Sequence, residues 1–239
     1  MNSQAIINCE WGLDGINKLS GKTDIFIIVD VLSFSTCVDI AVLKGAMVYP
    51  FKWKDKTVTE YARKLGAVTA SHDRKIINGY TLSPSSLLDI PDGAKLVLPS
   101  PNGSALSLAT GKIITICGSL RNCGSVAQFA MVSGKNISFI AAGERWKDGS
   151  MRYAIEDLIG AGAIISFMNG ELSQQSQIAL NVFETFKDDL PGVIKDTVSG
   201  AELIERGFEK DVELACELNI SKSVPLLQNG AFSQRTYGI

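Results

Sequence analysis

Four nearly unbroken runs of apolar residues constrain the fold of this chain more than any other feature. They occupy residues 24–31, 95–99, 112–117 and 136–142. A strand with one face in water alternates polar and apolar residues, so runs without that alternation predict strands covered on both faces. Amphipathic stretches that predict helices separate these runs, at residues 35–44, 55–65, 103–109 and 120–132. This order predicts a three-layer α/β/α fold with a largely parallel or mixed sheet.

The last third of the chain has a different pattern. Its periodicity predicts helices at residues 151–168, 173–186, 200–206 and 211–218. No Pro/Ser linker separates this part from the rest of the chain. We therefore expect a single domain over residues 1–239, in which a mostly helical part, residues 150–239, packs on an α/β part, residues 1–149. We also expect a homodimer formed through the helical part.

Composition and charge exclude several classes of protein. The 23 basic and 25 acidic residues give a net charge of −2, which argues against a nucleic-acid binder that relies on a basic surface. No apolar run approaches the roughly 20 residues of a membrane-spanning helix. Five cysteines without a C-x-x-C pair indicate reduced thiols and hence a cytoplasmic protein. The one histidine, His72, lies in a polar loop, where we expect exposure to solvent.

The first group of candidate site residues follows the strand predicted at residues 24–31. Asp30 lies near its end, and Ser33, Ser35 and Thr36 lead into the next helix, whose first N–H groups can hold an anion. A carboxylate in so apolar a run is costly to bury without a role. The alternative is that Asp30 or Ser33 only caps the helix.

Two further groups follow the next strands. Asn102 and Gly103 lie in a turn where the backbone can approach a ligand closely, although Pro-Asn-Gly is also an ordinary turn. Ser119, Arg121 and Asn122 come after residues 112–117. An arginine can bind phosphate or sulfonate through two hydrogen bonds, whereas a merely solvated cation in a first helical turn opposes the helix dipole.

The densest group follows the strand predicted at residues 136–142. Glu144, Arg145 and Asp148 crowd into one loop, and Asp157 lies on the following helix. Helical spacing places Asp157 on the same face as Gly160, so its carboxylate faces inward and needs a partner such as a metal ion or an arginine. The alternative is a surface loop held by salt bridges.

All four groups follow strands, and the carboxyl ends of parallel strands lie at one edge of a sheet. Carboxylates, arginines and helix N-termini, without a histidine or thiolate base, suit Mg²⁺ held against a phosphate, with water as the attacking group. We therefore expect Mg²⁺ as the cofactor and a small anionic phosphate ester as the partner. A serine or threonine nucleophile remains an alternative.

Several of these segments resemble the 2-phosphosulfolactate phosphatase family. The resemblance lies in residues 28–46, in Leu82-Ser-Pro, in SPNGSAL at 100–106, in GSLRN at 118–122 and in AAGERWKDGSMRYAIEDLIGAGAI at 141–164. It implies an α/β/α fold and Mg²⁺-dependent hydrolysis of 2-phosphosulfolactate to sulfolactate and phosphate, in coenzyme M biosynthesis.

The chain departs from the family pattern at two places. The family has an arginine where this chain has Ser33, and an asparagine where it has Leu82 or Ser83. Loss of a guanidinium group beside a highly anionic substrate leaves two alternatives. One is a phosphatase for another small acidic phosphate ester, and the other is a small-anion-binding protein without catalysis.

Together these interpretations define the candidate site. Asp30, Glu144 and Asp157 are expected to bind the metal ion or position water, and Arg145 to assist catalysis by holding phosphate or sulfonate. Seven residues are expected to bind the substrate: Ser35, Thr36, Asn102, Gly103, Ser119, Arg121 and Asn122. Spacing does not decide which carboxylate acts as a base.

Overall fold

A ten-stranded sheet forms the centre of the protein. The computed structural model describes residues 4–52, 55–76 and 79–234. Along the chain, the strands are β1 (Ala5–Trp11), β2 (Ile25–Val29), β3 (Met47–Lys52), β4 (Val68–Thr69), β5 (Lys95–Ser100), β6 (Ile114–Gly118), β7 (Asn136–Ala141), β8 (Glu144–Arg145), β9 (Met151–Arg152), β10 (Gly170–Leu172), β11 (Pro225–Gln228) and β12 (Ala231–Gln234). Strands β8 and β9 form a separate antiparallel hairpin, and the others lie in the order β10-β1-β7-β2-β6-β11-β12-β3-β5-β4.

Helices cover both faces of this sheet. They are α1 (Gly12–Leu19), α2 (Phe34–Leu43), α3 (Val58–Leu65), α4 (Gly103–Ala109), α5 (Cys123–Ser133), α6 (Ile155–Ile165), α7 (Gln174–Phe186), α8 (Leu190–Lys195), α9 (Val198–Glu205) and α10 (Glu209–Ala215). Short 3₁₀ turns lie at Pro84–Leu87 and Lys187–Asp189. No helix in the described part of the chain is long and apolar enough to cross a membrane.

Strand β2 shows why its sequence is an unbroken apolar run. Ile25, Ile27 and Val29 belong to a core shared with α5, α6 and α7. Phe26 and Ile28 belong to a core on the other face, shared with α1 and α4. Every residue of β2 is buried because helices pack on both faces. The predicted three-layer α/β/α fold is therefore confirmed.

The sheet is mixed because a hairpin near the C-terminus lies between two parallel groups of strands. Strands β10, β1, β7, β2 and β6 run parallel to one another, and so do β3, β5 and β4. Strand β11 is antiparallel to β6, and β12 is antiparallel to both β11 and β3. The two parallel groups therefore run in opposite directions, which the sequence analysis did not anticipate.

The loops after β2 and β5 meet in spite of this reversal. The N–H group of Gly103 donates a hydrogen bond of 2.8 Å to Oδ2 of Asp30. Sheets twist by about 20–25° from each strand to the next. Strands as far apart in the sheet order as β2 and β5 therefore need not end at opposite edges.

The last third of the chain contains strands as well as the predicted helices, and one helix, α8, was not predicted. The helix expected over residues 151–168 is α6, Ile155–Ile165, because the residues before it form β9 and pair with β8. Strands β10, β11 and β12 were also missed. They are three or four residues long, too short to show a period of their own, and they form by pairing with distant strands.

Candidate active site

A polar cavity of about 190 Å³ lies where the loops after β2, β5 and β7 come together. It is lined by Asp30, Leu32, Ser33, His72, Arg74, Leu82, Ser100, Pro101, Asn102, Glu144 and Arg206. Three of these, Asp30, Asn102 and Glu144, were among the predicted site residues. The cavity also contains guanidinium groups that the sequence analysis did not assign.

Asp30 joins the loop after β2 to the start of α4. Its Oδ1 accepts a hydrogen bond from the Phe34 N–H at 3.2 Å, and its Oδ2 accepts the bond from Gly103 described above. Gly103 is required at this place because a Cβ atom there would collide with the Phe34 ring. Gly103 was predicted to bind the substrate; in this structure its N–H group holds Asp30 instead.

Two carboxyl groups in the cavity, those of Asp30 and Glu144, have raised pKa values. Burial and the nearby carboxylate of Glu144 raise the pKa of Asp30 to about 7. Burial also raises the pKa of Glu144, although a hydrogen bond from Asn102 and the charge of Arg152 act in the opposite direction. Two acidic groups with raised pKa values indicate a place where a cation or a shared proton is stabilised.

Asp157 lies behind Asp30 and connects two loops. Its Oδ1 accepts a hydrogen bond from the Val31 N–H at 2.7 Å, and its Oδ2 accepts one from the Gly143 N–H at 2.9 Å. Burial, followed by repulsion from Asp30 and Glu156, raises its pKa well above the ordinary range. Asp157 thus faces inward, as predicted, and it links the loops after β2 and β7.

Helix α6 approaches β2 closely at a residue without a side chain. A Cβ atom at Gly160 would lie 2.7 Å from Cγ2 of Val31 and 2.9 Å from Cγ1 of Val29. This close packing brings the Asp157 carboxylate within reach of the Val31 N–H.

The hairpin β8–β9 brings Glu144 to the cavity. Glu144 is half-buried, whereas Arg145 beside it is exposed and donates from Nη1 to the Gly149 carbonyl at 2.8 Å. Arg145 lines a smaller cavity of about 90 Å³ that shares Asn102 and Glu144 with the larger one. The structure therefore places Arg145 next to the polar cavity but outside its lining.

The predicted Ser35 and Thr36 hold the loop after β2. Ser35 Oγ accepts from the Asp30 N–H at 2.8 Å and donates to the Ile28 carbonyl at 3.3 Å. Thr36 Oγ1 donates to the Val31 carbonyl at 2.8 Å. Both side chains are completely buried, so in this structure they shape the loop and do not face the cavity.

The three residues predicted after β6 belong to a different cluster. Asn122 Oδ1 accepts from both the N–H and the Oγ of Ser119, which closes their own turn. Arg121 donates from Nε to Asp39 Oδ2 at 2.8 Å and also pairs with Glu217. The predicted gathering of Arg121 with the carboxylates is not found, because buried Asp39 binds its guanidinium group elsewhere.

Arg74 supplies a positive charge that the sequence analysis missed. Its Nη1 donates to Oδ2 of Asp211 and its Nη2 donates to Oγ of Ser33, each at 3.2 Å. Asp211 is fully buried and also accepts from the Ser83 hydroxyl at 2.7 Å and the Ser85 N–H at 3.0 Å. A guanidinium group thus lies beside Ser33.

Arg206 and His72 are two further lining residues that were not predicted. Both are exposed, which agrees with the expectation for His72, but both also face the cavity. The Cζ atoms of Arg74 and Arg206 lie 5.8 and 5.6 Å from the centre of the Phe208 ring. No periodicity or motif marks these residues, although the missing arginine at position 33 could have prompted a search for a replacement.

The predicted metal ligands do not form one three-carboxylate site. Within the described residues, no group of three or more His, Cys, Asp or Glu side chains is placed to hold a metal ion. Both oxygens of Asp157 already accept backbone hydrogen bonds. The two candidate ligands that line the cavity are Asp30 and Glu144. The role of Mg²⁺ stays a prediction.

Comparison with known proteins gives a consistent result over most of the chain. A probable 2-phosphosulfolactate phosphatase of Thermotoga petrophila is 26% identical over 212 residues, covering 86% of this chain and 90% of that protein. A 2-phosphosulfolactate phosphatase of Methanothermobacter thermautotrophicus is 27% identical over 206 residues, covering 85% and 87%. One of Methanocaldococcus jannaschii is 26% identical over 203 residues, covering 80% and 84%. The family model described as 2-phosphosulpholactate phosphatase matches residues 14–230, and the chain therefore belongs to that family.

Proposed function

We propose that this protein is a Mg²⁺-dependent phosphatase that hydrolyses 2-phosphosulfolactate to sulfolactate and phosphate. The proposal rests on one observation: a single cavity contains both acidic and basic side chains. Asp30 and Glu144 line it together with Arg74 and Arg206. The family and the names of its members support the substrate. By the same resemblance, the product would serve coenzyme M biosynthesis, and the free thiols of all five cysteines fit the cytoplasm.

Asp30 and Glu144 fit the requirements of Mg²⁺. This ion commonly binds one or two carboxylates and completes its coordination with water and substrate phosphate oxygens. The repulsion that helps to raise the pKa of Asp30 is the interaction that a divalent cation would relieve. When bound, Mg²⁺ would neutralise negative charge on the phosphate group during attack by water.

The remaining residues of the cavity bind and orient. The side chain of Asn102 is close enough to Glu144 to favour the ionised form of that carboxyl group and so lower its pKa. Arg74 is close enough to Asp30 to lower its pKa, and its bonds to Ser33 and Asp211 hold it in place. We assign Arg74 to the phosphate oxygens, where it would stabilise charge that develops as the ester bond breaks. Asp157 acts as a positioning residue because it fixes the backbone beside Asp30 and Glu144.

The test is phosphate release from 2-phosphosulfolactate by protein treated with a chelator, with and without added Mg²⁺. We expect release only with the ion, and at least a hundredfold loss of kcat/KM in Asp30→Asn. The matched control is Asp14→Asn, since Asp14 is exposed on α1, and it should behave as wild type. Full activity after chelation would overturn the role of the metal, and no release under any condition would overturn the proposed activity.

A further inference from the structure

The cavity contains one more guanidinium group than the phosphate and the metal site require. Arg74 is neutralised by the buried carboxylate of Asp211 at 3.2 Å. Arg206 directly follows α9 and is exposed, and its guanidinium group lies over the Phe208 ring. Its positive charge faces the cavity, and no carboxylate of the described residues forms an ion pair with it.

Arg206 adds a second positive charge to the lining of the cavity. The charge of Arg74 contributes to lowering the pKa of Asp30. Both guanidinium groups lie over the ring of Phe208, that of Arg74 and that of Arg206. The cavity thus offers two cationic positions, Arg74 and Arg206.

A substrate that uses both positions must carry two anionic groups. 2-Phosphosulfolactate carries a carboxylate besides its phosphate, and a sulfonate joined through one CH₂ group to the carbon that bears the phosphate. A sulfonate stays ionised at every pH at which the protein is folded, and its oxygens can accept paired hydrogen bonds from a guanidinium group, as phosphate does. Its permanent charge matches a permanently charged partner such as Arg206.

We propose that Arg206 binds the sulfonate and is the residue that selects sulfonated esters over esters without that group. Phe208 positions it through the ring contact. This inference rests on the proposed function, since the sulfonate matters only if a sulfonated phosphate ester is the substrate. It goes further by assigning the recognition of the sulfonate to one side chain.

The test compares kcat/KM for phosphate release from 2-phosphosulfolactate and from 2-phospholactate, which has a hydrogen atom in place of the sulfonate. We expect wild-type protein to favour the sulfonated ester by at least about thirtyfold, which is about 2 kcal/mol at 1.4 kcal/mol for each factor of ten. Arg206→Met should reduce this ratio by tenfold or more, and Arg206→Lys should recover part of it. The exposed Arg63→Met on α3 is the matched control and should leave the ratio unchanged.

The outcomes separate the two proposals. Equal turnover of both esters by wild-type protein, or an unchanged ratio in Arg206→Met, would overturn the role of Arg206 and leave the phosphatase activity standing. Turnover of neither ester would overturn the proposed function and the sulfonate assignment with it. Arg206 is exposed and lacks a carboxylate partner, so its replacement is not expected to unfold the protein.

Discussion

At the scale of single residues, Asp157 and Asp30 hold the backbone of the loops around the cavity through hydrogen bonds. Asp157 holds the N–H groups of Val31 and Gly143, and Asp30 holds those of Phe34 and Gly103. Each carboxylate connects backbone groups that are distant in the sequence. The loops that carry the polar cavity are therefore fixed by hydrogen bonds to buried carboxyl groups and not by apolar packing alone.

Replacing Asp157 by alanine should destabilise the protein and weaken catalysis. The change removes two hydrogen bonds to a buried carboxylate and leaves two N–H groups without partners, at a cost of about 2–4 kcal/mol. Urea unfolding gives the stability, and phosphate release gives the activity. Asp188→Ala, an exposed aspartate, is the control; an Asp157→Ala protein as stable as this control would contradict the role assigned to Asp157.

Sequence reasoning found the carboxylates of the site but missed its arginines. Asp30 and Glu144 are marked because each follows the apolar run of a buried strand, and an acid is costly there. Arg74 and Arg206 lie in a polar loop and at a helix end, where arginines are common. Their role depends on Asp211 and Phe208, which only the fold brings near them.

At the scale of elements, the hairpin β11–β12 connects the two halves of the sheet. It pairs with β6 on one side and β3 on the other. Phe232 of β12 is fully buried, and its ring contacts Phe34 edge to face at 6.1 Å between centres. Phe34 in turn follows Ser33, so the hairpin supports the loop that lines the cavity.

Truncation of Phe232 tests this support. We expect Phe232→Ala to lower the free energy of unfolding by about 3–5 kcal/mol, the usual cost of removing a buried aromatic ring. Phe167→Ala is the matched control because Phe167 is half exposed, and we expect it to cost about 1 kcal/mol or less. Equal losses in the two variants, measured by urea unfolding, would show that the hairpin does not stabilise the fold in this way.

The hairpin also shows which strands could not be predicted from the sequence. The strands β2, β5, β6 and β7 were predicted because helices cover both of their faces and leave an apolar run. Strands β11 and β12 are four residues each, so their pairing partners and not their own pattern determine their conformation. The reversal of β3, β5 and β4 follows from that hairpin and was missed for the same reason.

At the scale of the whole molecule, raised carboxyl pKa values link folding to pH. In the absence of metal, Asp30, Glu144 and Asp157 hold their protons more tightly in the folded protein than in the unfolded chain. Between the ordinary aspartate pKa of 3.8 and the raised value of about 7 for Asp30, the folded state therefore binds more protons. Stability must then fall as the pH rises through this interval.

The corresponding prediction concerns protein kept in a chelator. The urea concentration at half unfolding should decrease from pH 5 to pH 8, and added Mg²⁺ should raise it more at pH 8 than at pH 5. The reason is that a cation binds the ionised carboxylates, which are more populated at the higher pH. A midpoint that rises steadily from pH 5 to pH 8 in the chelator would contradict the raised pKa values.

The most direct measurement is an anomalous-difference map from crystals grown with Mn²⁺, in place of Mg²⁺, and phosphate. We predict one strong peak between the carboxylates of Asp30 and Glu144, with the phosphate lying between that ion and the guanidinium group of Arg74. A peak at another place, or none in crystals of protein that Mn²⁺ activates, would contradict the division of charge on which the proposed activity rests.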